Sequence, residues 1–342
     1  MPRSSVIAPP VGALLHRYEI PGEPLLCERV TEGLLNRGYR LATTRGSYFL
    51  KHHLDGDHEA ITRQHRATLR LQALGVPVAP PVADAHGDTV AVIDGDCYAL
   101  HPWVDGRHRD GAHLSTAESR RLGSLLGMVH ICLEQVMRRP GRPPAPPGGR
   151  PGAYESADPR DTFRVIDELL ALARTASPRD AFDTLAEHRL LERRALLELH
   201  ADRRPPAASA GGWVHGDFHP LNLLYRGAEP AAIVDWDRLG VQPRAEEAVR
   251  AAAIFFVQPA GELELPKVRA YARAYRRAAG ADAAELAAAV HRVWWERLND
   301  FWILRWRYQL HDRRADAQFA AVSALAVWWT RRYEAVRDAF TG

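Results

Sequence analysis

The stretch GGWVHGDFHPLNLLYRGAEPAAIVDWD (residues 211–237) interrupts two apolar runs with His215, Asp217, Asn222 and Asp235. A core strand gains nothing from carboxylates, because an unpaired buried charge is costly. These residue types point to a ligand. LNLLYR and AAIVDW read as strands, with GAEP as the turn between them. If Tyr225 pairs with Ala232, antiparallel register sets Asn222 opposite Asp235. Directly opposed side chains lie about 5 Å apart at Cβ. An amide oxygen and a carboxylate at that separation are hard donors that suit Mg2+, with phosphate and water completing the octahedron. Asp217 precedes Asn222 by a short loop and is free to face a third party. A carboxylate beside a metal–phosphate pair is the layout of phosphoryl transfer. It accepts the proton of an attacking hydroxyl while the cation neutralises phosphate charge.

HGDFHPLN followed by IVDWD resembles the catalytic signature of the aminoglycoside phosphotransferase and choline kinase-like family, small-molecule kinases with a protein-kinase-like two-lobe fold. The resemblance covers most of the chain. It implies ATP as phosphoryl donor, Asp217 as catalytic base, and Asn222 and Asp235 as Mg2+ ligands. YFLKHH looks like the nucleotide-lobe strand, with Lys51 on the ATP phosphates. YALHPWVDG looks like the inter-lobe hinge, offering the Pro102 carbonyl and the Val104 amide to adenine.

Two departures stand out. The family usually places a Glu on the N-lobe helix to pair with the lysine. Alignment on LGVP puts Gln64 there, with Glu59 more than a turn earlier. Gln64 can hydrogen-bond Lys51 but cannot match its charge. A G-x-G-x-x-G loop is missing too, so TEGLLNRG (31–38) would cover the phosphates. The chain has no D-F-G, no A-P-E and no room for an activation loop after VDWDRLG. That implies a small-molecule acceptor rather than a protein.

The elements that must position these groups follow from pattern. Strands are expected at 25–31, 38–43, 46–52, 89–93 and 97–103. One helix is expected over 57–74, stopped by Gly75 and Pro77. STAE is a capping box with Ser115 as N-cap and Glu118 at the third helical position, opening a helix to about Arg138. PGRPPAPPGGRPG (140–152) reads as a surface loop. Residues 160–174, 181–201 and most of 244–342 are helical in period. The expected fold is α+β and two-lobed. It has a five-stranded antiparallel N-lobe over 1–101, a hinge at 102–104 and a mainly helical C-lobe over 105–342.

Composition agrees. At roughly 150 residues per domain, 342 residues suit two, and 46% apolar residues are ample for a core. No run reaches the roughly 20 apolar residues that span a bilayer, and MPRSSVIAPP lacks a signal-peptide pattern, so a cytoplasmic location without membrane partners is expected. Cys27, Cys97 and Cys132 form no C-x-x-C pair and read as buried thiols. A net charge of +3 is too small to argue for nucleic acid. Lys51 and Lys267 are the only lysines, so a lysine inside a strand hints that a compact ammonium is needed there. Lys267 and Asn36 read as surface choices, Asp237 as a turn residue, Asp105 as shaping the bend after the hinge, and His215 as a structural histidine holding its loop.

The acceptor would sit beside Asp217 under the C-terminal helices. Glu246, Glu247, Glu296 and Asp300 are the candidate selectors, with His219, Trp295 and Trp302 as possible neighbours. VHRVWWERLNDFWILRWRYQL (290–310) reads as one helix whose aromatic stripes belong to the core. Acidic groups among aromatics favour a cationic acceptor such as an aminoglycoside or basic peptide antibiotic, with homoserine, choline or a sugar as alternatives. Two rival classes fare worse. A metallophosphoesterase, suggested by DAHGD and GDFH, needs a later G-N-H and leaves Lys51 and Asp235 without roles. A nucleotide-binding pseudokinase rests on Gln64 alone.

Overall fold

The computed structural model describes residues 9–20, 22–30, 36–138, 155–208 and 211–342. Most of the expected phosphate-covering stretch and the whole Pro/Gly segment 140–152 lie outside them.

The N-terminal part is a five-stranded antiparallel sheet. Its strands are β1 (Pro24–Val30), β2 (Arg37–Thr43), β3 (Gly46–His53), β4 (Ala91–Ile93) and β5 (Asp96–Pro102), in the order β1-β2-β3-β5-β4. Alternation sorts the faces. Tyr39, Leu41, Leu50, Tyr98 and Leu100 bury on one side, against Leu14, Leu15 and Tyr18 of the segment around α1 (Val11–Arg17). Helix α1 lies outside the expected pattern, which has one helix in this lobe; the described residues hold two. The opposite face carries Lys51, set against Ala99 of β5. α2 (His58–Ala73) starts on an Asp57 cap, whose side chain accepts from Ala60 N at 3.0 Å.

The remainder is mainly helical. α3 (Thr116–Met137) begins at the capping box, with Ser115 and Glu118 each satisfying the other's backbone amide. α4 (Pro159–Thr175) and α5 (Ala181–Leu199) follow. Then come two small antiparallel ribbons. β6 (Gly212–Val214) pairs with β9 (Gly240–Gln242), and β7 (Leu223–Arg226) with β8 (Glu229–Ile233). α6 (Arg244–Phe255), α7 (Leu265–Ala279), α8 (Ala283–Asn299), α9 (Trp302–Gln309), α10 (Asp316–Arg331) and α11 (Tyr333–Thr341) complete the chain. α3 and α7 approach backbone to backbone: a Cβ on Gly123 would fall 2.1 Å from the Tyr271 carbonyl oxygen.

The aromatic segment is not one helix. α8 ends at Asn299, and α9 starts afresh at Trp302. The Asp300 carboxylate accepts from Trp302 N at 3.1 Å, so it supports the restart. Trp294 and Trp295 are fully buried, as a core stripe should be. Cys97 is buried and Cys132 half-buried, but Cys27 is exposed because β1 is an edge strand with an outward-facing run. Lys267 is also buried; its ammonium reaches the carbonyl of Ala112 at 2.9 Å and Glu264 at 2.9 Å, so it clamps a loop rather than decorating the surface. Among the described residues no helix is long and apolar enough to cross a membrane.

Candidate active site

The two strands around the hairpin do not pair as expected. Leu224 faces Ala232, a register shift follows, and Tyr225 faces Pro230. Pro230 has no N–H to give the ladder, and an irregularity there is its usual consequence. A one-residue slip changes which side chains are opposed. Val234, not Asp235, meets Asn222, its amide donating to the Asn222 carbonyl at 3.0 Å. Asp235 then leaves the ribbon with φ +58°, left-handed backbone that a non-glycine residue enters at a cost of about 1–3 kcal/mol. The chain thereby turns towards the sheet of the other lobe.

There it meets Lys51. The Nζ atom lies 2.9 Å from Asp235 Oδ1 and 2.6 Å from Asp237 Oδ1. Burial works against the ammonium, but the two carboxylates outweigh it and raise the Lys51 pKa. Burial alone would raise Asp235; Lys51 overcomes that and holds it well below the ordinary range. Asp237 goes the other way, raised by burial despite Lys51, with Asp235 adding repulsion. One ammonium cannot neutralise two carboxylates, so the pocket keeps a surplus of negative charge. Asp237 is thus part of the site and not a mere turn residue.

The catalytic-loop candidate is built around His215, which is fully buried. Its Nε2 donates to the Val234 carbonyl at 3.1 Å, and its Nδ1 accepts from Asp217 N at 3.2 Å. One ring therefore locks the loop to the Asp235 segment, the structural role expected of it. Gly216 has φ +88°, and a Cβ there would sit 2.2 Å from the Arg238 carbonyl oxygen. Only glycine lets the loop lie that close. The Asp217 carboxylate is partly exposed, with His219 Nε2 at 3.6 Å and Arg238 Nε at 3.7 Å. Burial pushes Asp217 up, but His219, Arg238 and His215 together bring it below the ordinary carboxylate range. It is ionised at neutral pH and able to accept a proton. The Asn222 amide nitrogen donates to the Asp217 carbonyl at 2.8 Å and also lies 3.2 Å from His219 Nε2. With the nitrogen committed, Oδ1 is the atom left to serve a cation. Asn222 Oδ1, the exposed edge of Asp235 and the unbalanced negative charge are a donor set that fits a hard divalent ion.

The nucleotide-lobe candidates divide. Gln64 does not bond Lys51 as expected; its amide donates to the Asp237 carbonyl at 3.1 Å, because Lys51 already has two anionic partners. Pro102 ends β5 opposite Tyr48, and Trp103 N continues the ladder to the Ser47 carbonyl at 3.1 Å. The next amide, that of Val104, has no hydrogen-bond partner among the described residues. Asp105 gives its carbonyl to Arg226 beyond the bend.

Most acceptor candidates prove to be occupied. Glu247 is buried and accepts from the amides of His215 and Gly216 and from His130 Nε2. It braces the catalytic loop from α6 and cannot select an acceptor. Trp295 is 1% exposed, with its indole N–H on the Ala157 carbonyl, so it cannot line a pocket either. Glu246 pairs with Arg292, and Glu296 with Arg250 and Arg297. Asp300 and Trp302 border a cavity of about 20 Å3, room for about one water. His219 alone of this group stands beside Asp217. Sequence reasoning missed Arg238, Asn36 and the bracing pair His130–Glu247. The rarity of asparagine was the available signal for Asn36, whose amide meets Asp237 Oδ2 at 2.5 Å.

Residues 27–281, three-quarters of the chain, match the sequence model of the Phosphotransferase enzyme family. The chain belongs to this family. A homoserine kinase from Nitrobacter winogradskyi is 26% identical over 296 residues, covering 83% of this chain and 80% of that one. Among solved structures, an amicoumacin kinase in complex with AMP-PNP and Ca2+ superposes with a TM-score of 0.59 at 18% identity, covering 96% of this chain and 93% of the other. An aminoglycoside phosphotransferase from Alicyclobacillus acidocaldarius gives 0.59 at 15% identity, covering 99% and 96%. These share the protein-kinase-like two-lobe α+β fold. The phosphotransferase described here is a small-molecule kinase with that architecture.

Proposed function

We propose that the enzyme transfers the γ-phosphoryl group of ATP to a hydroxyl of a small metabolite that is not polycationic. The observation that carries the transfer chemistry is the meeting of Lys51 with Asp235 across the cleft, at 2.9 Å, beside a loop that presents ionised Asp217. Adenine would lie against the segment 102–104, the division between a nucleotide lobe (1–101) and a helical lobe (105–342), donating a hydrogen bond to the Pro102 carbonyl and accepting one from the Val104 amide. Lys51 would orient the phosphates. Asp217 would hold the acceptor hydroxyl in line and take its proton as the oxygen attacks phosphorus and the bond to the ADP oxygen breaks. His219 and Arg238 would keep Asp217 ionised and steer it. Asn222 and Asp235 would hold Mg2+, which when bound supplies charge neutralisation on the phosphates.

The glutamates of the cluster that favoured a cationic antibiotic do not offer free negative charge, and Asp300 caps the start of α9. Glu246 and Glu296 are matched by Arg292, Arg250 and Arg297, and Glu247 is spent on the catalytic loop. Without a surplus field, a polycation gains little from this wall. Likeness to a homoserine kinase over most of the chain supports the same direction. ATP consumption measured against homoserine, choline, sugars, aminoglycosides and cyclic peptide antibiotics tests the reading. Turnover with a metabolite hydroxyl supports it; turnover confined to aminoglycosides or basic peptides overturns the acceptor class.

A further inference from the structure

Lys51 finds no carboxylate partner on α2 and takes its anions from the loop after β8. Here α2 supplies Gln64, and the lysine is held from across the cleft. Asp235 and Asp237 both touch Lys51, yet they differ in what else they do. The Asp235 side chain is 45% exposed, and that of Asp237 19%. Both Asp237 oxygens are engaged by protein: Oδ1 by Lys51 at 2.6 Å and Oδ2 by Asn36 Nδ2 at 2.5 Å. Asn36 is fixed in turn, its Oδ1 accepting from Leu54 N at 2.9 Å just beyond β3. Gln64 holds the Asp237 main chain by its carbonyl. Three N-lobe segments thus converge on Asp237, two on its carboxylate and one on its main chain, and each carboxylate oxygen has a protein partner.

We propose that Asp237 is the positioning residue for Lys51, doing from the C-terminal side of the cleft what a glutamate on α2 would do, while Asp235 is left to the cation. The idea rests on the proposed nucleotide role of Lys51. It follows that Lys51 is aimed only when the two lobes are in contact, so phosphate binding is coupled to cleft closure.

The test is MgATP affinity by titration calorimetry in the full-length enzyme. Asp237→Asn loses the charge partner and weakens MgATP by about tenfold, the usual worth of a hydrogen bond to a charged group. Adenosine, which lacks phosphates, binds as before. Asp237→Glu recovers part of the loss, and the Mg2+ midpoint does not move, whereas Asp235→Asn raises it. Asn36→Ala, which loosens Asp237 without touching Lys51, weakens MgATP in the same direction and keeps the test readable if Asp237→Asn folds poorly. Unchanged MgATP affinity in both Asp237→Asn and Asn36→Ala, equal losses for adenosine and ATP, or an Mg2+ midpoint raised as in Asp235→Asn would each overturn the proposal. A wild-type enzyme that binds no MgATP would overturn the nucleotide reading itself, and this proposal with it.

Discussion

Lys51 and Asp235 lie 184 positions apart in sequence and 2.9 Å apart in space. The pair ties the two halves of the motif set together, because one residue comes from the sheet and the other from a loop of the helical lobe. Asp235 accepts left-handed backbone to make that contact. Strain of this kind persists where the surrounding structure over-determines it.

The brace under the catalytic loop should be a large contributor to stability. Glu247→Ala leaves His130 and the amides of His215 and Gly216 without their buried acceptor. Breaking such a buried pair costs about 3–5 kcal/mol. Urea unfolding should show that loss, together with reduced turnover. A change below about 1 kcal/mol would mean the pocket refills with water at little cost.

Gly216→Ala should damage the site locally. The added Cβ meets the Arg238 carbonyl oxygen at 2.2 Å, and φ is +88°. The strain is worth roughly 1–3 kcal/mol. Relief by backbone movement would drag Asp217 and Arg238 apart, so turnover should fall further than melting temperature suggests. Wild-type turnover in this variant would show that the loop tolerates a shift.

Stability should fall below neutral pH because of two histidines in the nucleotide lobe. His53 and His65 are buried, and burial first, with Lys51 and the neighbouring histidines adding repulsion, lowers them to about 3 and about 2. Their unfolded value is 6.5. A base with a depressed folded pKa is protonated in the unfolded chain first, so stability is full above 6.5 and declines as pH drops towards the folded values. Each contributes a limiting slope of about 1.4 kcal/mol per pH unit, and His101, which burial lowers to about 4, adds to it. Unfolding free energies measured between pH 7 and 5 should decline accordingly, and His65→Gln should remove about one such contribution. A flat profile in that window would contradict the neutral, buried assignment.

Much of this was legible beforehand, and the omissions have physical causes. The five strands, α2, the capping box at Ser115 and the set Lys51, Asp217, Asn222, Asp235 are local patterns carried by short stretches of sequence. The hairpin register was misread because Pro230 displaces the ladder, an effect that spacing alone does not reveal. The break at Asp300 interrupts a segment whose helical periodicity continues on both sides. Glu247 read as an acceptor selector because its partners, His130 and His215, lie 117 and 32 positions away. The carboxylates of α6 and α8 looked like free charge for the same reason: an arginine that cancels a glutamate is visible only after folding. Scarcity worked better than periodicity for single residues. Both lysines and the asparagines at 36 and 222 do specific jobs in a chain that uses other types for generic surface.

The role of Asp217 is the central claim, and one variant tests it. Asp217→Asn keeps the shape of the loop, whose bonds to His215 and Asn222 run through the Asp217 main chain. It removes the proton acceptor, and positioned acid–base groups contribute about 10²–10⁴ in rate. With the acceptor found by the ATP-consumption panel, single-turnover phosphoryl transfer should slow by that factor while MgATP affinity stays within about twofold of wild type. Transfer at the wild-type rate would contradict the assignment of Asp217 as the base.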